Sequence, residues 1–251
     1  MDLGLKDKVA FLTGATNEIG REVCLNLVRE GAKFLFSDIN TQKGEALAKE
    51  IADLGGDAIF SKVDVRDYEE VKDNVMKAKD HFGRLDIVVH MAGVGGRPKR
   101  FVETSREDWK LTVDVLLYGM MNTTYAALPF MIENNYGKIV SVIGDSSRVG
   151  ESGLSLVAAP RAGQPALVKS VAMEVGRYNI TLNCVSVGIV DSSHYPAGHI
   201  DKYREKIVKN YPLGRLGLPE DVAPMVTFLC SEHTDWITGQ VFSVNGGYCM
   251  V

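Results

Sequence analysis

Cysteine is scarce: Cys24, Cys184, Cys230 and Cys249 are the only four in 251 residues, widely spaced and without a CxxC pair. This excludes a disulfide framework and a CxxC redox motif, and three of the four fall inside apolar patterns that suit reduced, buried thiols of a cytosolic protein. The five histidines show no metal-ligand spacing, so no metal centre is expected. Basic runs are also lacking. A formal net charge of −4, with 28 basic against 32 acidic residues, argues against general nucleic-acid binding. The one local basic cluster, Arg97-Pro98-Lys99-Arg100, reads as a solvated loop that could still meet an anionic ligand. No uninterrupted apolar stretch approaches the ~18 residues that span a bilayer, and the N-terminal residues hold no signal-peptide core. The chain therefore reads as cytoplasmic, with no membrane or nucleic-acid partner. It contains no repeat, linker or low-complexity segment.

What is present is an alternation of short apolar runs with amphipathic stretches. The runs are Val9–Leu12, Lys33–Ser37, Asp57–Val63, Ile87–His90, Lys138–Val142, Thr181–Val185 and Gln240–Val244. Between them, helical periodicity covers Ile19–Glu30, Gln42–Leu54, Tyr68–Phe82, Glu107–Asn134, Leu156–Tyr178 and Pro219–Ser231. Strands that are apolar throughout and separated by helices imply a mostly parallel sheet covered on both faces. The expected fold is a doubly wound α/β domain of Rossmann type, with seven strands in one domain over residues 1–251. Its ligands should bind beyond the carboxyl ends of the strands. His194 and His199 are expected in a loop.

The first strand runs into Thr13-Gly-Ala-Thr-Asn-Glu-Ile-Gly20, a turn at a helix N-terminus whose N–H groups and dipole suit a diphosphate. Asp38, at the end of the second strand, is placed to accept from ribose hydroxyls and to repel a 2′-phosphate, which favours NAD over NADP. The pattern Thr-Gly-x-x-x-Gly-x-Gly is similar to the cofactor loop of the short-chain dehydrogenase/reductase family. So are Val63-Asp64-Val65, Met91-Ala92-Gly93, Gly137–Val142, and the tail from Pro212 to Met250. The resemblance spans the chain. It implies contacts from Gly14 and Gly20 to the diphosphate, Asp64 and Val65 to the adenine, Ala92 and Gly93 to the adenosine ribose, and Ile189 to the nicotinamide amide. Arg161, in place of the family lysine, would stand beside the nicotinamide ribose. One loop position departs: where the family has its second glycine this chain has Glu18. That carboxylate either faces the diphosphate and repels it, or turns outward as an acidic first-turn residue.

The resemblance also implies four catalytic positions, holding asparagine, serine, tyrosine and lysine in the family. Here they hold Leu116, Gly144, Val157 and Arg161. Chemistry at this site needs a phenol because an alcohol does not ionise near neutral pH, whereas a phenol beside an ammonium approaches it. Val157, Gly144 and Leu116 have no proton to give, and Arg161 stays protonated. Pro160 and Pro165 add backbone restrictions to the same helix. Ser146 and Ser147 lie just beyond the serine position without restoring a tyrosine. Tyr118, Tyr195 and His194 are the candidates for a relocated acid or base. Halohydrin-dehalogenase-like relatives also carry arginine at the Arg161 position but retain serine and tyrosine, so the chain does not match them.

Three functions remain open. The first is a non-catalytic subunit that assembles with an active paralogue as an NAD-dependent dehydrogenase of a 3-hydroxyacyl-CoA. Its resemblance is to hetero-oligomeric dehydrogenases of anaerobic aromatic degradation, such as those oxidising a 2-(hydroxybenzyl)succinyl-CoA. The second is a dehydratase, isomerase or lyase using Arg161 with Asp145 or His194. The third is a module that senses a nucleotide without turning it over.

Overall fold

The computed structural model describes residues 1–94, 98–191 and 199–251, the side chains of 199–202 excepted. One parallel sheet runs in the order β3-β2-β1-β4-β5-β6-β7. Its strands are β1 (Val9–Thr13), β2 (Lys33–Asp38), β3 (Ala58–Lys62), β4 (Ile87–His90), β5 (Gly137–Gly144), β6 (Ile180–Val187) and β7 (Val241–Val244). The reversal of order between β1 and β4 opens a crevice at the carboxyl ends, where such folds take ligands.

Period-2 alternation within β1 divides the core. Ala10 and Leu12 pack with Phe34, Phe36, Val23, Leu27 and Val226 on one face. Phe11 and Leu35 pack with Val88, Ile139, Met120, Met131 and Val168 on the other. The first face is covered by α1 (Glu18–Arg29), α2 (Thr41–Asp53) and α9 (Pro219–Leu229). The second is covered by α3 (Tyr68–Phe82), α4 (Arg106–Val113), α5 (Gly119–Asn134) and α7 (Ser155–Val175). The short α6 (Ser146–Val149) follows β5, and α8 (His199–Val208) lies between β6 and α9. His199 thus opens a helix, contrary to the loop expected from sequence, while His194 and Tyr195 lie outside the described residues. All four cysteines are buried and free.

The expected helix Glu107–Asn134 proves to be α4 and α5 joined through a π-helical turn, Asp114–Tyr118. Within the run Arg106–Asn134 an 18-residue window with a mean hydropathy of 1.3 makes it long and apolar enough to cross a membrane, although no uninterrupted apolar stretch suggested it. Here that apolar surface packs on α3, β4 and β5. α7 continues through both prolines. Pro160 is buried, and the ring costs the helix its bond to the carbonyl of the residue four before it.

At the amino ends of the strands, Asp86 accepts from Val9 N (2.9 Å) and holds Arg84, whose Nη2 lies 2.6 Å away. Lys138 is fully buried and reaches Asp235 at 2.6 Å. These ties lie at the end of the sheet away from the crevice.

Candidate functional site

The crevice is a cavity of about 790 Å3, within the ~300–1,000 Å3 range of small-molecule and cofactor sites. It gathers Gly14, Glu18, Asp38, Asp64, Gly93, Gly144, Arg161 and Ile189 from the residues singled out in the sequence. Gly20, Val65, Ala92, Leu116 and Val157 do not line it. Val65 and Leu116 are buried in the helix layer, Leu116 to 1% exposure.

The loop after β1 has a steric reason for both of its glycines. Gly14 takes φ +65°, and a Cβ there would lie 2.4 Å from the Ala92 backbone. A Cβ at Gly20 would lie 2.7 Å from Cα of Ala15, so α1 could not approach the loop. Asn17 caps α1. Its Oδ1 accepts from Gly20 N (2.9 Å) and its Nδ2 donates to Gly14 O (2.5 Å). Glu18 is the first helical residue, an acid in the first turn of α1, and it lines the crevice.

The β2 end of the crevice is acidic and ordered. Asp38 Oδ2 accepts from Thr16 N (3.2 Å) and Oδ1 from Asn40 N (3.0 Å), leaving each oxygen a further lone pair toward the crevice. Asp64 is gripped by Arg66, Nη2 to Oδ2 at 2.5 Å, and that hydrogen-bonded guanidinium holds its carboxyl below the usual range. Asn122, on α5, donates to Val65 O (2.9 Å) and fixes the strand exit there.

At the β5 end Gly144 and Arg161 interlock. A Cβ added at Gly144 would lie 2.7 Å from Nη1 of Arg161, so the guanidinium occupies the volume that a side chain at 144 would need. The π turn frees the Leu116 carbonyl from the helical ladder, and Gln164 Nε2 donates to it while Gln164 Oε1 accepts from Ser141 Oγ (3.0 Å). Asp145, 1% exposed, is held on both oxygens. Oδ1 accepts from Ser186 Oγ and Oδ2 from Asn245 Nδ2, both at 2.6 Å. Glu151 lines the same end, its carboxyl raised above the usual range by burial and by Asp145. Among the described lining residues there is no tyrosine and no histidine. Tyr118 sits at the end of the π turn, more than half exposed and away from the crevice.

Sequence reasoning missed two groups here. Gln164 gave no signal, because its role depends on the π turn. His90 ends β4 as a polar residue in an apolar strand, which was legible. It is buried, its Nδ1 lies 3.0 Å from Thr13 Oγ1, and Nε2 has no hydrogen-bond partner among the described residues. Burial, and then the Arg161 charge, push its pKa down to about 3.

A nicotinamide dinucleotide is the cofactor that the resemblance noted in the sequence implies for this crevice. The β2 end fits its adenosine, with Asp38 and Asp64 facing the cavity. The turn that would carry its diphosphate has Glu18 as the first residue of α1, and the β5 end holds Arg161 over Gly144.

Residues 14–249 match a family model described as enoyl-(acyl carrier protein) reductase. The chain is 34% identical to a 3-oxoacyl-[acyl-carrier-protein] reductase of Thermotoga maritima, over 97% of this chain and 98% of that protein. It is 31% identical, over 98% of each, to a subunit of the (2S)-[(R)-hydroxy(phenyl)methyl]succinyl-CoA dehydrogenase of Thauera aromatica. Among solved structures, a short-chain type dehydrogenase/reductase from Mycobacterium ulcerans superposes with a TM-score of 0.94 at 26% identity, covering 98% of this chain and 91% of that one. With a family model over nearly its whole length and relatives above 30% identity, the chain belongs to the short-chain dehydrogenase/reductase family of oxidoreductases.

Proposed function

We propose that this chain is the non-catalytic subunit of a cytoplasmic, NAD-dependent dehydrogenase of a 3-hydroxyacyl-CoA, assembled with a paralogue that carries the active site. The observation that carries this reading is the Arg161 guanidinium lying in the volume of a side chain at 144, in a crevice whose described lining has no phenol. A carbonyl bound there would find a fixed cation and no group able to exchange a proton near neutral pH. The acyl-thioester substrate class rests on the Thauera aromatica relative, whose name makes it one subunit of a (2S)-[(R)-hydroxy(phenyl)methyl]succinyl-CoA dehydrogenase.

Assembly is supported by apolar side chains left outside the fold. Trp109, Tyr118, Met121 and Tyr125 stand out along α4, the π turn and α5, Tyr125 at 69% exposure, and Met173 stands out of α7 at 88%. Surface apolar residues in such numbers along neighbouring helices favour a protein interface.

The alternative of changed chemistry through Arg161 and Asp145 is disfavoured by Asp145 itself, both of whose oxygens already accept short buried hydrogen bonds. The test is expression with and without the paralogue encoded nearest to this chain's own gene. The expected result is co-purification and NAD-dependent oxidation of a 3-hydroxyacyl-CoA only when both are present. Turnover by the purified chain alone at an ordinary enzymatic rate would overturn the reading.

A further inference from the structure

We infer that Gln164 is a positioning residue: it holds the Asp114–Tyr118 segment in its π-helical form and, through the heading this gives α5, places the chain exit at Val65 near the opposite end of the crevice. Gln164 is buried in an apolar layer. Its partner on β5, Ser141, lies between Ile139 and Ile143 on the strand face that packs against α5 and α7, and Val168 follows one turn later on α7.

Two polar side chains in such a layer are stable only when their groups are paired. Ser141 Oγ donates to Gln164 Oε1 (3.0 Å), which fixes the amide and points Nε2 at the Leu116 carbonyl. That carbonyl is presented because the turn bonds five residues apart, with Gly119 N donating to Asp114 O. In a continuous α-helix it would align with the helix axis and turn away, leaving Nε2 buried without its acceptor. One side chain thus favours the π form and penalises the α form. Gly163 lets α7 close on the turn, since a Cβ there would meet Leu117 Cδ1 at 3.3 Å.

The far contact tolerates one heading of α5. A Cβ at Gly119 would lie 2.7 Å from Val65 Cγ2, so a glycine must face that side chain. Asn122, three residues on along the same face, donates to Val65 O (2.9 Å). Val65 follows Asp64, which lines the crevice. Rotation of α5 would carry Gly119 and Asn122 away from Val65 together, so the β5 side of the crevice and the exit from β3 are joined through this helix.

The inference depends on neither assembly nor turnover, and its test reads neither. Hydrogen exchange and urea denaturation would be measured on the full chain and on Gln164→Met, which keeps the volume and removes both hydrogen bonds. Amides of 119–125 and of 64–67 are expected to exchange on the order of tenfold faster, while those of β6 (Ile180–Val187) keep their protection. The stability cost of Asn122→Ala, measurable in the unmodified chain, should fall to near zero in the Gln164→Met background, because the bond it removes is already lost. Should Gln164→Met not fold, Ser141→Ala, which loses only the bond that aims the amide, carries the same test with the same non-additivity expected. Additive costs, or a loss of protection that spares 64–67 or spreads evenly over the chain, would overturn the inference.

Discussion

At the turn after β1 the crevice carries one acidic side chain, Glu18; at its β5 end Gly144 and Arg161 share one volume. The first departure leaves the surrounding geometry intact, with Gly14, Gly20 and Asp38 each held by a contact that a different residue would break. It is reversible by a single substitution. The second is not, because the Arg161 guanidinium stands where a serine at 144 would go, and Gln164 has bound the carbonyl that the π turn exposes. Divergence by an added charge and divergence by repacking therefore have different consequences. One alters the charge at the mouth of the turn, and the other fills the space over Gly144 with the Arg161 guanidinium.

The sharpest way to break this contrast is to rebuild the β5 end. Val157→Tyr alone, or Gly144→Ser alone, should give no dehydrogenase activity, and Gly144→Ser should lose about 1–3 kcal/mol to overpacking. Adding Arg161→Lys should relieve that loss, a coupling readable by urea denaturation of the single and double variants. Only the set Leu116→Asn, Gly144→Ser, Val157→Tyr and Arg161→Lys, combined with Glu18→Gly, should gain turnover, on the order of 10²–10⁴-fold over background. Activity from Val157→Tyr alone would show that the positions do not interlock.

At the other end the expected effects are structural. Gly14→Ala forces a Cβ into the Ala92 backbone at a left-handed φ and should cost about 3 kcal/mol in denaturant unfolding. His90 links the two ends, since it bonds Thr13 on β1 and feels Arg161. Its folded pKa is depressed to about 3 by burial and by Arg161, so it stays neutral in the folded chain while the unfolded chain takes up a proton. Its contribution is therefore complete above pH ~6.5 and is lost as pH falls toward about 3, at about 1.4 kcal/mol per pH unit. The difference in unfolding free energy between the unmodified chain and His90→Asn, followed from pH 7 to 4.5, should show this slope. A flat difference would place the ring in a protonated state. The smallest effect is expected at Arg66→Ala, where the partner of a half-exposed pair is lost. Stability should change by less than about 1 kcal/mol.

Much of the scaffold was legible from periodicity. Ile87–His90 is a strand with the bounds expected, and Tyr68–Phe82 is a helix with the bounds expected, Asp67 capping it and Gly83 ending it in the left-handed region. The stretch Glu107–Asn134 read as one uniform helix because a π turn inserts one residue without disturbing composition, and a helix buried against a sheet is apolar over too wide an arc to show the phase change. α8 was missed although Ile200, Tyr203, Ile207 and Val208 fall at helical spacing, because the stripe is short and lies in a mostly charged stretch. Within the crevice, Asp38 and Glu18 were visible because local motifs carry them. The sharing of space by Gly144 and Arg161 and the capture of the Leu116 carbonyl by Gln164 depend on side chains far apart in sequence, and no one-dimensional pattern encodes them.

The extra residue in the Asp114–Tyr118 turn also has a consequence on the far side of its helix. Each residue added to a helix rotates everything after it by about 100°. The outward positions Met121 and Tyr125 therefore point where they do, relative to Trp109, because of that one insertion. Excising a single residue from the turn would swing the outer surface of α5 away from its present heading, so the step that hands the Leu116 carbonyl to Gln164 also sets the direction of Met121 and Tyr125.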